Sequence, residues 1–351
     1  MQKKKIYIDN KEISSSMPPY IIGEISANHN GDIQNVYKLI DIAKSSGASA
    51  VKIQTYTADT MTVDSLEEEF MLRGGLWDGR NLYDLYKEAT LPWDWHKDIF
   101  DYAKNKEITL FSTPFDSTAV DLLENLNTPA YKIASFEAID LPLIKYVAST
   151  KKPMIISTGM TSVHEIEEAV DVARQSGCED LILLHCVSSY PALSANYNLR
   201  TIKDMQTRFV DVLVGLSDHT IDNTTAIASV ALGASVIEKH ITLDRDGGGP
   251  DDSFSLEPSD LLELCEKSRT AWESMGNARY KRSKSEIDNK KFRRSIYFIN
   301  DIKAGEVIKS DDLRIIRPGF GIKPKHFDEV VGKTLKFDVL KNSPVKWEHI
   351  K

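Results

Sequence analysis

Apolar residues recur along the first three quarters of the chain in two alternating patterns. Short runs dense in aliphatic and β-branched residues are YIIGEIS (from Tyr20), AVKIQT (50–55), TLFSTPF (109–115), AYKIAS (130–135), PMIISTG (153–159), LILLHCV (181–187), VLVGLSDH (212–219) and VIEKHI (236–241). Between them lie longer segments whose apolar residues fall three or four positions apart. Runs of the first kind predict strands buried on both faces, and the second spacing predicts helices with one buried stripe. In the first spacer Val36, Leu39, Ile40 and Ala43 form such a stripe, Asp32 stands at the N-cap and Gly47 follows the end. Eight strand-helix repeats from Tyr20 to about Met275 predict an α/β fold closed as a (β/α)₈ TIM barrel of about 250 residues. A doubly wound sheet would show the same alternation, but no glycine-rich dinucleotide turn follows the first strand.

Two stretches break the rhythm. Residues 56–81, including MLRGGLWDGRN, mix polar and aromatic residues before helices expected near 82–89 and 93–106, and so long a loop in a compact domain is expected to cover a site. The segment GNARYKRSKSEIDNKKF (276–292) is charged and poor in large aliphatics, which reads as a connection. The expected organisation is a barrel domain over 1–280, a linker over 281–291 and a small, turn-rich, mostly β domain over 292–351. Within that last part DIKAGEVI and DVLKNSPVK echo each other.

The formal charge of −8 is spread over mixed acidic and basic residues, which argues against nucleic acid and anionic membrane as partners. Cys178, Cys186 and Cys265 have no metal-type spacing, and an odd count of three suits a reduced cytoplasmic setting. The start MQKKKIYIDNKE is basic without the apolar core of a secretory signal, and no apolar run approaches membrane-spanning length.

In a closed parallel barrel the C-terminal strand ends meet at one mouth, so their polar residues can be pooled. The pool holds Glu24, Asn28 and His29, then Lys52 and Gln54, Ser112 and Thr113, Lys132, Ser135 and Glu137, Ser157 and Thr158, His185, Ser188, Ser189 and Tyr190, and finally Ser217, Asp218, His219, Glu238 and His240. Two apolar strands each end in a histidine, and imidazoles there suit a divalent cation; the competing reading for His219 and His240 is a pair of hydrogen-bonded core histidines. Lys52 and Lys132 among hydroxyls suit a ligand with phosphate and carboxylate groups, against structural ion pairs with Glu24 and Glu137, or a Schiff base as in aldolases. Cys186 reads as a small buried residue, and Met154 and Met160 as core. The triple-glycine loop DRDGGGPDDSFSLEP follows His240 directly and offers Asp251 as a ligand contact. A carbohydrate-binding module with an inert barrel is a third functional class, disfavoured by so many ionisable residues at one mouth.

Taken in order, GEISANHNG, AVKIQTY, FSTPFD, PAYKIAS, IISTGM, LLHC, GLSDHT, EKH and GPD, followed by DIKAGEVI and RPGFG, resemble the sialic acid synthase family from about residue 20 to the end. The resemblance implies a TIM barrel followed by an antifreeze-like (SAF, β-clip) domain, and a phosphoenolpyruvate-dependent transferase that makes nine-carbon keto sugar acids. It implies Mn²⁺ or Mg²⁺ at His219 and His240, and phosphoenolpyruvate held by Lys52, Thr113, Lys132, Ser135, Ser157, Ser188 and Ser217. The acceptor sugar would meet Gln54, Tyr190, Asp251 and, in a domain-swapped homodimer, Arg317 of the partner subunit, with Glu24 and Glu137 as the proton handlers. SFE after Lys132, CVSSYPA, the GLW loop and GGPDxxFSLEP look most like the pseudaminic acid branch. That branch implies a 2,4-diacetamido-2,4,6-trideoxy sugar of altro configuration; the alternatives are the N-acetylneuraminate and legionaminate branches. Sialate-making relatives carry Gly-Ser-Gly-Glu where this chain has Ala134-Ser135-Phe136-Glu137, which counts against N-acetylmannosamine. A trideoxy acceptor should also find a more apolar pocket, with Trp77, Phe136 and Phe254 in or beside the mouth loops.

Overall fold

In the computed structural model, which describes residues 4–278 and 280–351, the apolar runs become parallel strands that close on themselves. An antiparallel hairpin, β1 (Ile6–Ile8) and β2 (Lys11–Ile13), comes first. The barrel follows as β3 (Tyr20–Glu24), β4 (Ala50–Thr55), β5 (Thr109–Pro114), β6 (Tyr131–Ile133), β7 (Met154–Ser157), β8 (Leu181–Cys186), β9 (Leu213–Ser217) and β10 (Val236–His240). β10 closes against β3 with Val236 opposite Tyr20 and His240 opposite Glu24. The first connecting helix runs Ile33–Ser45, capped by the Asp32 side chain and burying the expected stripe of Val36, Leu39, Ile40 and Ala43.

The side-chain period of two splits each barrel strand between two cores. Ile21, Val51, Leu110, Ile133, Ile156, Leu183, Val214 and Ile237 pack outward with the helices. Ile22, Ala50, Phe111, Ile155, Ile182, Leu184, Leu213 and Val236 form a separate interior cluster, joined by Ile6, Ile8 and Ile13 of the hairpin. The hairpin turns at Asp9 and Asn10, both with positive φ, as a tight two-residue loop requires. The N-terminal hairpin thus contributes three fully buried isoleucines to the barrel interior, each worth about 1.5–3 kcal/mol of burial. Met154 is buried as expected, but Met160 is not core: it lies exposed at a left-handed φ of 64° in the turn after β7.

The second compact unit is Asn277–Lys351, so the contact boundary falls after Gly276 rather than at 280. The stretch read as a connection contains a helical turn at Lys284–Ile287 and a 3₁₀ turn at Asp288–Phe292. β11 (Ser295–Phe298) and β12 (Leu313–Ile316) pair antiparallel over a core of Ile296, Phe298, Ile308, Leu335 and Val345. The two echoing segments are a structural repeat: Ile302 and Val339 exchange both backbone hydrogen bonds, and Gly305 and Asn342 hold the matching left-handed turn positions.

Candidate active site

The parity that fills the barrel interior with aliphatics at one end fills it with ionisable groups at the other. Counting by twos from Ile22, Ala50, Phe111, Ile155, Leu184, Leu213 and Val236 leads to Glu24, Lys52 and Gln54, Thr113, Ser157, Cys186, Ser217 and His219, and Glu238 and His240. Lys132 follows Ala130 in the same way. Other pool members face out of the barrel or are used in the framework. Ser112 bonds Thr55, whose hydroxyl also meets His96; His185 is bonded to the Tyr197 carbonyl; Asp218 pairs with the buried Lys239 at 2.9 Å. Asn28 donates to the Ile241 carbonyl and the Ser255 hydroxyl, both at 2.8 Å, and His29 is bonded to the Ala89 carbonyl.

The inward residues converge on a cavity of about 600 Å³, a size suited to small metabolites. Lys52 is buried and forms a 2.6 Å ion pair with Glu24 while donating to Thr113 Oγ1 at 2.8 Å. Thr113 therefore acts on the lysine rather than lining the cavity. Lys132 pairs with Glu238 Oε1 at 2.8 Å rather than with Glu137, the partner in the competing ion-pair reading, because Glu238 shares its inward parity. Burial pushes the Glu24 carboxyl up, with Lys52 opposing and Glu238 adding to the rise. Burial also acts on Glu238, but Lys132 and Lys52 outweigh it and hold that carboxyl below its ordinary value. Glu137, in the turn Ser135–Glu137 after β6, is pushed up to about 7 by burial, and its Oε2 has no hydrogen-bond partner.

Hydroxyls line the same cavity as these charges. Ser157 and Ser188 are buried at their oxygens without partners, and Ser135 Oγ accepts from the Gly159 N–H at 3.1 Å. A Cβ on Gly159 would lie 2.2 Å from Ser188 Oγ and 2.8 Å from Ser135 Oγ, so the missing side chain is what lets these hydroxyls gather. Sequence reasoning missed Gly159 because a pool of polar side chains has no place for a residue whose role is to lack one. Ser217 lines the same cavity, 3.5 Å from Glu238 Oε1.

The rings of His219 and His240 lie 5.4 Å apart. His219 Nδ1 is 2.9 Å from the Val187 carbonyl, an arrangement that puts the proton on Nδ1 and leaves Nε2 as a lone pair. Burial works against a charged His219, while Cys186, 3.9 Å away, works for it and prevails. His240 is driven far below its usual range by burial, then by His219 and the nearby lysines, and its buried Nδ1 has no hydrogen-bond partner. Among the described residues no set of three or more His, Cys, Asp and Glu side chains is arranged around a metal position. Two imidazoles, one with an orphaned nitrogen and one with a fixed tautomer, nonetheless fit a divalent ion whose remaining positions go to water or substrate.

Gln54 donates to Glu24 Oε1 at 2.9 Å and to Ser26 Oγ at 3.0 Å, and Ser26 donates to Asp251 Oδ2 at 2.5 Å. Asp251 Oδ2 lies 3.9 Å from His240 Nδ1, so a chain of polar groups runs from the lysines to the histidines. Tyr190 packs 4.4 Å from His219 and 5.7 Å from Trp77, and all three line the cavity. Phe136 lines it too, but Phe254 does not: it is buried behind His240 and Tyr190, with ring centroids 5.1 and 5.3 Å away. Arg317 belongs to the second unit, where it borders a cavity of about 710 Å³ with Arg293, Arg294 and Lys323.

The sequence matches the model of the NeuB family over residues 39–280 and that of the SAF domain over residues 293–351. It is 40% identical over 320 residues to a pseudaminic acid synthase of Campylobacter jejuni, which spans 91% of this chain and 93% of that one. An N,N'-diacetyllegionaminic acid synthase of the same organism is 39% identical over 317 residues, covering 89% and 94%. Among solved structures, an N-acetylneuraminic acid synthetase from Leptospira borgpetersenii in complex with citrate superposes with a TM-score of 0.73 at 29% identity, over 82% of this chain and 95% of that one.

Proposed function

This chain belongs to the NeuB family, and from that membership we propose that it condenses phosphoenolpyruvate with 2,4-diacetamido-2,4,6-trideoxy-altropyranose to give pseudaminic acid and inorganic phosphate. The observation that carries this reading is a single cavity lined both by buried lysines with partnerless hydroxyls and by leucine and tryptophan side chains. Lys52 and Lys132 are placed to neutralise the carboxylate and phosphate of phosphoenolpyruvate, and Ser135, Ser157, Ser188 and Ser217 to orient their oxygens. Both lysines are held against carboxylates, Lys52 by Glu24 and Lys132 by Glu238, which suits binding of anionic groups and favours condensation over a Schiff-base route.

In the reaction C3 of phosphoenolpyruvate attacks C1 of the open-chain sugar, forming the new carbon–carbon bond while the aldehyde oxygen takes up a proton. Water adds to the electron-deficient C2 and gives up a proton, and the resulting tetrahedral centre breaks its C2–O bond to release phosphate. A divalent ion, Mn²⁺ or Mg²⁺, held by His219 and His240 would supply Lewis-acid polarisation of the sugar's aldehyde oxygen. Glu137, poised near neutrality, is the proton donor of this scheme, and Glu24 is the acceptor that Gln54 and Lys52 keep in register. Gln54, Tyr190 and Asp251 face the acceptor sugar.

No helix among the described residues is long and apolar enough to cross a membrane. Phosphoenolpyruvate is a glycolytic metabolite, so the proposed setting is the cytoplasm. The proposed assembly is a homodimer in which Arg317 of one copy serves the acceptor site of the other. Mixing an Arg317→Ala chain with a His240→Ala chain should then recover activity that neither has alone, and a fully active monomer in sedimentation would exclude the exchange. The test of the reaction itself is phosphate release with the altro diacetamido sugar, its legionaminate-pathway stereoisomer and N-acetylmannosamine side by side. The first should be preferred clearly, and a preference for N-acetylmannosamine would move the chain to the sialate branch.

A further inference from the structure

The long loop before Leu82 is not irregular: it closes on itself as a small hairpin. Met71 bridges Asn81, Leu72 N–H donates to the Arg80 carbonyl at 2.8 Å, and Gly79 N–H donates back to Leu72 at 2.9 Å. Gly74, Gly75 and Gly79 hold positive φ at the turns, and Asp78 accepts from the Gly74 N–H at 2.6 Å. At the base, Asn81 caps the helix Leu82–Ala89 and bonds the Ser65 carbonyl. At the tip, Trp77 Nε1 donates to the Pro250 carbonyl at 3.0 Å in the loop that carries Asp251.

Leu72, Leu76 and Trp77 of this hairpin line, with Leu85, the same cavity as the lysines and histidines. Leu76 is 43% exposed, an apolar side chain at the mouth with little covering it. Trp77 has spent its one donor on Pro250, so it offers the cavity only ring carbon. An acetamido group brings a carbonyl and an N–H that need partners, and this wall gives it few; a bare methyl needs none.

Resting on the reaction proposed above, we propose that the hairpin Met71–Asn81 is the selecting wall for the acceptor, and that Leu72, Leu76 and Trp77 receive its C6 methyl. A hydroxyl at C6 would find no hydrogen-bonding side chain among these three residues, since the Trp77 donor is already used. The acetamido groups then meet Gln54 and Asp251, which line the same cavity.

The test uses the full-length protein with Leu76→Ser and Leu72→Ser, the first at a half-exposed position where folding is not at stake. KM for phosphoenolpyruvate, kcat/KM for the trideoxy diacetamido sugar, and the inhibition constant of its 6-hydroxy counterpart as a competing acceptor are measured, so affinity is read whether or not the competitor turns over. Removing apolar contacts of this size costs about 10-fold or more. The expected result is such a loss of kcat/KM for the trideoxy sugar, an unchanged or tighter 6-hydroxy competitor, and an unchanged KM for phosphoenolpyruvate. Equal losses for both sugars, or a KM for phosphoenolpyruvate that rises in step, would overturn the inference. A wild-type protein that prefers N-acetylmannosamine would instead overturn the acceptor reading, which separates the two failures.

Discussion

Glu24 and Lys52 stand opposite each other on neighbouring barrel strands, and a 2.6 Å ion pair joins their side chains where both are almost wholly buried. Such a pair is costly to halve, because the survivor keeps its desolvation without its partner. Lys52→Met should lower stability by about 3–5 kcal/mol at pH 8. With burial and Glu238 already raising it, the Glu24 carboxyl protonates readily once the lysine is gone, so the loss should shrink toward pH 5. Denaturant titrations at the two pH values check this; a pH-independent loss would mean that packing, not charge, sets the cost.

Gly159 tests the hydroxyl cluster with a single carbon. Its φ is not in the left-handed region, so Gly159→Ala is not strained by the backbone, and the obstacle is the 2.2 Å approach to Ser188 Oγ. Two serine hydroxyls must turn aside while the fold stays. Hydrogen bonds to a charged ligand are worth about 1.5–3 kcal/mol each, so kcat/KM for phosphoenolpyruvate should fall by about 10- to 100-fold with KM for the sugar little changed. Steady-state kinetics with each substrate varied in turn would show it, and equal effects on both substrates would detach the cluster from phosphoenolpyruvate.

Glu137 sets a pH limit. Its carboxyl, raised by burial to about 7, is protonated below that value, so a step that needs it as proton donor should lose rate as the pH rises through about 7. Glu137→Gln should lower kcat and remove this alkaline limb. The sign for stability is the same: a group whose folded pKa is raised contributes fully below its unfolded value of 4.5 and loses that contribution as the pH climbs through 7. The variant should therefore gain thermal stability over wild type at pH 8 and little at pH 4. A variant that keeps the wild-type limb would assign it to another group.

The barrel was legible because its strands are buried on both faces, which leaves continuous apolar runs, and because Asp32 and Gly47 punctuate the first helix in the ordinary way. The site was legible as a pool, since strand ends must converge. What the pool could not do unaided was separate inward from outward residues. Counting by twos from the interior aliphatics does so, and would have paired Lys132 with Glu238 instead of Glu137. Two features had roles that no local signal shows. The N-terminal hairpin is too short to show periodicity, and its value lies in an interior it enters only after folding. Phe254 follows the glycine loop as a surface aromatic would, but the chain folds it behind His240.

The histidine pair makes the sharpest chemical prediction. His219 has its tautomer fixed by the Val187 carbonyl, while His240 has a buried nitrogen with nothing to bond. If these two hold a divalent ion, His240→Ala should weaken Mn²⁺ binding by more than the roughly 10–100-fold that losing an outer-shell partner costs. Mn²⁺ retained after gel filtration, counted per chain, reads this without reference to turnover. Circular dichroism separates it from misfolding, since Phe254 and Tyr190 pack against the deleted ring. Thorough chelation of the wild type should abolish phosphate release, and added Mn²⁺ or Mg²⁺ should restore it. Full activity after stripping, together with borohydride trapping of pyruvate on Lys52 or Lys132, would show that the lysines and not the histidines carry the electrophilic step.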